Sequence, residues 1–298
     1  MTHSPTPDQI AQFRRDGFLL VEQFIDPALA ADVADSFEDL FRGNFDTTVP
    51  PDEWRWVEGR DPVDVTRMIW NGWKSSRVVA QISLSEQVGH WVSQLGGWSD
   101  GARLNQDGCL WKPPGAAGLA YHQDGNYVEW ISPSELLTCW IALDDVYPNS
   151  GAIEYAAGSH EWGLGARPDN FHKPSDYRAA LHEAAKIAGK EAQIQTVSLP
   201  RGGATFHSAA IWHGSGPNTS QLHRRAIALH CMPASCQFNP DKPAFAQGRF
   251  RLFGSNKMEE SFYPILYNPN GRPSEFIADY IGADRYKYQS HAWKKAKT

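Results

Sequence analysis

A mainly β protein with flanking helices, its strands closed into a sandwich or barrel, is what this sequence predicts. Three observations carry that expectation. Beyond residue 100 the chain breaks into short β-type runs separated by Gly, Pro and Asn, at the spacing of an antiparallel double-sheet fold. Before residue 100 it carries helix caps and apolar stripes of helical period. A single long interruption, residues 161–193, has the length of a lid or binding element carried on a rigid scaffold.

The elements follow in order. Thr6 reads as a helix N-cap, with Pro7 at the first helical position and Gln9 completing a capping box; Ile10 and Phe13 form the stripe and Gly17 the stop. Residues 18–21 read as a strand. Asp26-Pro27 opens a second helix to about residue 42, with Ala30, Val33, Phe37 and Leu40 on one face. Residues 44–74 are irregular and rich in Trp and Arg, and one helix spans about 78–95. Candidate strands are 103–111, 118–124, 136–144, 152–156, 194–199, 204–211 and 226–232. A helix at about 177–188 ends at Gly189, and Ser274 caps a short helix through residue 281.

Composition narrows the function classes. The 298 residues are 41% hydrophobic and 21% charged, with a formal net charge of −6, which disfavours a nucleic-acid-binding body. No run approaches the roughly 18 apolar residues of a membrane span. Residues 1–9 are polar, without a basic stretch leading into an apolar one. Cys109, Cys139, Cys231 and Cys236 form no CxxC pair and read as reduced thiols, so a cytoplasmic protein is expected. Without repeats or linkers, residues 1–298 read as one domain: a helical part to about 100, a β core over about 101–235 and an extension over about 236–298.

Two constellations carry chemistry. Tyr121-His122-Gln123-Asp124 lies in a candidate strand, where residues two apart share a face, so an imidazole and a carboxylate stand side by side. In a chain with eleven histidines this pair alone is weak. His213-Gly214-Ser215, with Arg224 beyond it, follows far downstream. A third ligand from His213 would complete two histidines and one carboxylate, the facial set of non-haem iron(II) oxygenases.

On these motifs the sequence resembles the phytanoyl-CoA dioxygenase family of iron(II)/2-oxoglutarate-dependent oxygenases. The likeness runs from Asp16-Gly17-Phe18 to about Met232. It is sharpest in Lys112-Pro113-Pro114-Gly115, 121–127, 138–143, 149–160 and 213–224. It implies a double-stranded β-helix, the cupin-like jelly roll. It also implies that His122, Asp124 and His213 hold Fe(II), that Arg224 grips the distal carboxylate of 2-oxoglutarate, and that Ser215 donates to the same carboxylate. Arg225 would face the other way. Trp140 and Thr138 would border the cosubstrate, Gln106 would face the pocket, and His207 would serve the core. With O2 consumed and succinate and CO2 released, a C–H bond of a small organic molecule would be hydroxylated, or the same chemistry would desaturate, epoxidise or close a ring. Asp124 disfavours halogenation, since related halogenases carry a small residue there.

The rival readings are a zinc hydrolase or isomerase on the same ligands, and a noncatalytic jelly-roll binding protein. For the substrate, Trp54, Trp56, Trp70, Trp73 and Arg67 of segment 44–74 are expected to form the wall, together with the 161–193 insertion. Oligomeric state is left open.

Overall fold

The computed structural model describes residues 4–270 and 274–281. The N-terminal part runs α1 (Pro7–Asp16), β1 (Phe18–Val21), α2 (Pro27–Phe41), β2 (Glu53–Trp54), β3 (Arg67–Trp70), α3 (Arg77–Ser83) and α4 (Glu86–Gly96). The core follows with β4 (Ala102–Lys112), β5 (Leu119–His122), β6 (Ile131–Ser132), β7 (Leu137–Ala142) and β8 (Ile153–Ala156). It continues with α5 (Ala179–Ala188), β9 (Ile194–Thr196), β10 (Ala204–Ser208), β11 (His213–Ser215) and β12 (Arg224–Pro233). The extension adds β13 (Gln237–Phe238), β14 (Ile265–Tyr267) and α6 (Glu275–Ile281); residues 282–298 of the expected single domain lie outside the described residues.

Two antiparallel sheets face each other. The larger has the order β1-β10-β7-β12-β4-β3-β2, with β14 also pairing β4, and the smaller runs β5-β11-β8-β9. Alternation along the strands explains why they pack this way. On β7, Leu137, Cys139 and Ile141 face a core shared with α2, α3 and α4, while Trp140 and Ala142 face the inter-sheet core with Ile153, Tyr155 and Ala228. Polar residues on the inner face, Thr138, His207 and His230, are therefore held between the sheets. Register places Gln106, His230, Thr138 and His207 in one row across β4, β12, β7 and β10.

The capping box at Thr6 forms in both directions, and Gly17 ends α1 at φ 80°. The expected helix over 78–95 is two: Leu84 closes α3, and Ser85 starts α4. Serines at 83 and 85 favour caps over a continuous helical interior. Several short strands arise where the sequence offers none, β3 and β11 among them. β3 carries a charged residue on a buried face, Arg67 between Trp56 and Trp111, which masks it as a core strand. β11 is three residues around Gly214, where a Cβ would stand 2.7 Å from the Tyr121 ring.

Candidate metal centre

His122 and His213 are register partners across β5 and β11, with ring centroids 4.2 Å apart. Asp124 reaches them differently from the expected strand face. β5 stops at His122, and Asp124 opens a 3-10 turn that swings its carboxylate back between the rings. Asp124 Oδ1 then lies 3.5 Å from His122 Nε2 and 3.6 Å from His213 Nε2, and one ligand atom from each residue falls within 4.8 Å of the others.

Hydrogen-bond polarity orients all three groups. His122 Nδ1 donates to the Ala120 carbonyl at 3.0 Å and His213 Nδ1 to the Ile211 carbonyl at 3.1 Å. Carbonyls only accept, so each Nδ1 carries a hydrogen and each Nε2 is the atom turned to the centre. Burial holds His213 well below the usual imidazole range, the neutral form a metal needs. Asp124 Oδ2 is engaged elsewhere: Thr138 Oγ1 donates to it at 2.8 Å and His207 Nε2 at 3.3 Å, with His230 Nδ1 3.5 Å away. Burial alone would raise this carboxyl, but His213, His230, His122 and His207 around it win and hold it well below the usual carboxylate range. Oδ1 alone remains for a cation. Two imidazole Nε2 atoms and one ionised carboxylate converging from one side fit a divalent metal with open positions opposite.

A cavity of about 110 Å³ leads from this centre to a second cluster and is lined by Trp140, Ser215 and Arg224. Arg224 is buried; its Nη2 donates to the Gly151 carbonyl at 2.9 Å, and its Nε has no partner among the described residues. Burial pulls its guanidinium down to about 10. Its carbon lies 5.6 Å from the centre of the Trp140 ring. Opposite Arg224 in register stands Lys112, fully buried, whose Nζ donates to Ser215 Oγ at 2.8 Å and to the Gly216 carbonyl at 2.5 Å. Burial and Arg224 push Lys112 well below the usual ammonium range. Because an ammonium cannot accept, Ser215 keeps its own hydrogen for another acceptor. A buried guanidinium with an orphaned N–H and a hydroxyl with a free hydrogen thus converge, the hydroxyl held from behind by Lys112, a cradle shaped for a carboxylate. Arg225 turns outward and pairs with Asp144 at 2.7 Å, so Asp144 is an ion-pair partner as well as a turn residue.

A larger cavity of about 470 Å³ opens on the other side of His122 and Asp124. Its walls correct several expectations. Gln106 faces this cavity instead of the smaller one, because the register shift at His230/Cys231 bulges β4 and turns both Asn105 and Gln106 inward. Thr138 borders the smaller cavity, but its hydroxyl is spent on Asp124. Of the tryptophans in segment 44–74, Trp70 alone lines the cavity. It lies flat over Gly108, its register partner, where a Cβ would stand 2.7 Å from the indole. Trp56 and Trp73 are buried in the helix-facing core, and Trp54 packs against that core beside Phe45. Arg67 is out of phase with Trp70 on β3 and stacks between Trp56 and Trp111, 3.9 and 4.2 Å from the ring centres. The 161–193 insertion contributes Phe171 and His172. Sequence reasoning missed Lys112, Trp130, His230 and Gln247, whereas Phe171 lies in the insertion it expected at the wall. The phase of β4 opposite Arg224 was the available signal for Lys112; nothing local signals the others.

Residues 13–226 match the family Phytanoyl-CoA dioxygenase (PhyH). Human peroxisomal phytanoyl-CoA dioxygenase is 29% identical over 119 residues, 39% of this chain and 34% of its own. This chain thus spans about a third of the phytanoyl-CoA dioxygenases it matches. A methylphosphonate hydroxylase of Gimesia maris is 23% identical over 237 residues, 77% of this chain and 81% of its own. Among solved structures, the epimerase SnoN in complex with Fe3+, alpha-ketoglutarate and nogalamycin RO superposes with a TM-score of 0.65 at 23% identity, over 87% of this chain and 97% of that one. EctD from S. alaskensis gives 0.64 at 18% identity, over 90% of each. These likenesses support the jelly-roll fold, and the family match covers well over half of the sequence. The chain belongs to the phytanoyl-CoA dioxygenase family.

Proposed function

We propose that this protein is an iron(II)/2-oxoglutarate-dependent dioxygenase that hydroxylates a C–H bond of a small organic molecule, releasing succinate and CO2. The observation that carries the reading is one cavity with a metal-ready triad at one end and an uncompensated cationic cradle at the other. Bound Fe(II) supplies the activation of O2 coupled to decarboxylation of the keto acid. The chain's own residues bind and orient. His122, His213 and Asp124 Oδ1 hold the metal; Thr138 and His207 fix Asp124 so that its second oxygen does not compete. Arg224 and Ser215 take the distal carboxylate and set the reach of the cosubstrate toward the metal, and Lys112 holds the Ser215 hydroxyl in place. Trp140 and Ile153 help keep the space between dry, which strengthens each charged contact.

A zinc hydrolase would use the triad but has no need of the Arg224–Lys112 cradle, and a noncatalytic binder needs neither. A carboxylate at position 124 fills the place a halide would take. Four buried, unpaired thiols support a compartment that keeps thiols reduced, as the cytoplasm does. The test is anaerobic addition of Fe(II) and 2-oxoglutarate, read as a weak visible metal-to-ligand charge-transfer band, then succinate release on admitting air. A protein that takes up zinc, forms no such band and releases no succinate refutes the proposal.

A further inference from the structure

The larger cavity has a chemistry of its own. Apart from the metal ligand Asp124, its charged lining is Glu53 and Arg55. Arg55 is half-exposed at the rim and already committed: Nη2 and Nε donate to Glu53 Oε2 at 2.7 and 3.1 Å, and Nη1 to His172 Nε2 at 3.0 Å. Among the described residues the one cation lining the cavity, Arg55, is paired with Glu53, so an entering phosphonate or carboxylate would lose its water without meeting an uncompensated positive charge. The walls are aromatic and aliphatic, with Trp70, Trp130 and Phe171 around the space and Val128 and Leu136 behind it. About 470 Å³ suits a ring-bearing molecule rather than a one-carbon anion.

Two polar groups face this space with defined polarity. Tyr263 donates to Gln247 Oε1 at 3.0 Å, and Gln247 Nε2 donates to Gln106 Oε1 at 3.3 Å. The relay leaves the Gln106 NH2 as a donor with no protein acceptor among the described residues. Thr138 spends its hydrogen on Asp124, so it must accept from His230 Nδ1 at 3.0 Å. In the neutral His230 ring Nε2 is then an acceptor, and it borders the cavity with the ring 5.8 Å from that of Trp70. His230 and Gln106 are register partners on β12 and β4, so donor and acceptor stand side by side. A hydroxyl, which both accepts and donates, satisfies the two together.

We infer that the substrate is an uncharged, ring-bearing alcohol whose hydroxyl bridges Gln106 and His230 while its ring lies among Trp70, Trp130 and Phe171. This deepens the dioxygenase reading and rests on it for the statement that the bound molecule is oxidised. His230 and Gln106 act as specificity residues.

The test uses decahydro-2-naphthol, its methyl ether, decahydro-2-naphthoate and decahydro-2-naphthylamine. Each is titrated by calorimetry into the anaerobic protein with Fe(II) and 2-oxoglutarate. The expected result is that the alcohol binds about tenfold or more tighter than the ether, the carboxylate and the amine. His230→Phe should bring the alcohol-to-ether ratio close to one, because it removes the acceptor that only the alcohol can use. A merely structural role for His230 would weaken both probes and leave that ratio unchanged, which overturns the assignment. Equal or tighter binding of the carboxylate or the amine, or no binding of the alcohol, overturns the substrate class. The charge-transfer band, recorded before any probe is added, reports separately on the iron and 2-oxoglutarate reading. Its absence would sink that reading, while the ranking of probes still judges the cavity.

Discussion

Replacing Lys112 by Met should separate folding from cosubstrate binding. The Lys112 ammonium is fully buried and makes two charge-assisted hydrogen bonds, to Ser215 Oγ and the Gly216 carbonyl. Losing them costs about 1.5–3 kcal/mol each. Against that, the folded protein no longer strips water from an ammonium beside Arg224, a relief of several kcal/mol. Methionine fills similar volume, so the net change in stability should stay within about 2 kcal/mol of zero. Binding of 2-oxoglutarate has no such compensation. Without Lys112 the Gly216 carbonyl is unsatisfied, and the Ser215 hydroxyl hydrogen is free to turn toward it and away from the cosubstrate. One hydrogen bond to a charged carboxylate is then lost, about 1.5–3 kcal/mol, or roughly tenfold to a hundredfold in Kd. Anaerobic calorimetry with the metal-loaded protein measures this directly, and urea unfolding measures the stability. Ser215→Ala should cost far less in the Lys112→Met background than in the native one. A folded Lys112→Met protein with native 2-oxoglutarate affinity would refute the reasoning.

Further outcomes follow from neighbouring contacts. Arg224→Ala leaves the cosubstrate carboxylate unpaired in a buried pocket and should raise its Kd by about 2–5 kcal/mol, whereas Arg225→Ala, on the opposite face, should change it little; calorimetry on both decides the strand phase. Thr138→Val frees Asp124 Oδ2 from its shortest donor and should lower Fe(II) affinity about tenfold to a hundredfold in a chelator competition. Asp107 is fully buried, and burial raises its carboxyl from 3.8 to about 6 although Gly72 N and Trp73 N donate to it. The folded state therefore holds this proton more tightly. Its contribution to stability is greatest below 3.8 and is lost as pH rises through about 6, amounting to about 3 kcal/mol. Native protein compared with Asp107→Asn by urea unfolding should show that loss between pH 4 and 7, and a pH-independent difference would refute it.

Much of this molecule is legible in its sequence, and the reason differs by residue. The capping box at Thr6 and the stop at Gly17 are local chemistry, and they form as read. β4, β7 and β12 alternate between a helix-facing and a sheet-facing side, so their pattern survives in the sequence. His122 and His213 are candidates from their motifs, but the turn that brings Asp124 between them lies outside strand periodicity. β3 escapes because a buried arginine, Arg67, stands where a core strand would show an apolar residue. The substrate wall was the least legible part. A tryptophan on the core side of β3 and one on the cavity side have the same composition, and only phase relative to β4 distinguishes Arg67 from Trp70. Trp130, Phe171 and Gln247 reach the cavity from loops and the extension, where no period constrains them.

The row Gln106–His230–Thr138–His207 also makes the metal centre a late product of folding. The donors that settle Asp124 Oδ2 come from β7 and β10, with His230 of β12 in support, and they are separated from Asp124 by 14 to 106 positions in the chain. A growing chain that has reached residue 140 owns His122, Asp124 and Thr138 but neither His207 nor His213. Its carboxylate stays hydrated and free to rotate, and one ligand is missing. Closing these long-range pairings is the slow part of forming such a sheet. Binding of an ion by the full ligand set would thus report that the strands farthest apart in the sequence have found their places.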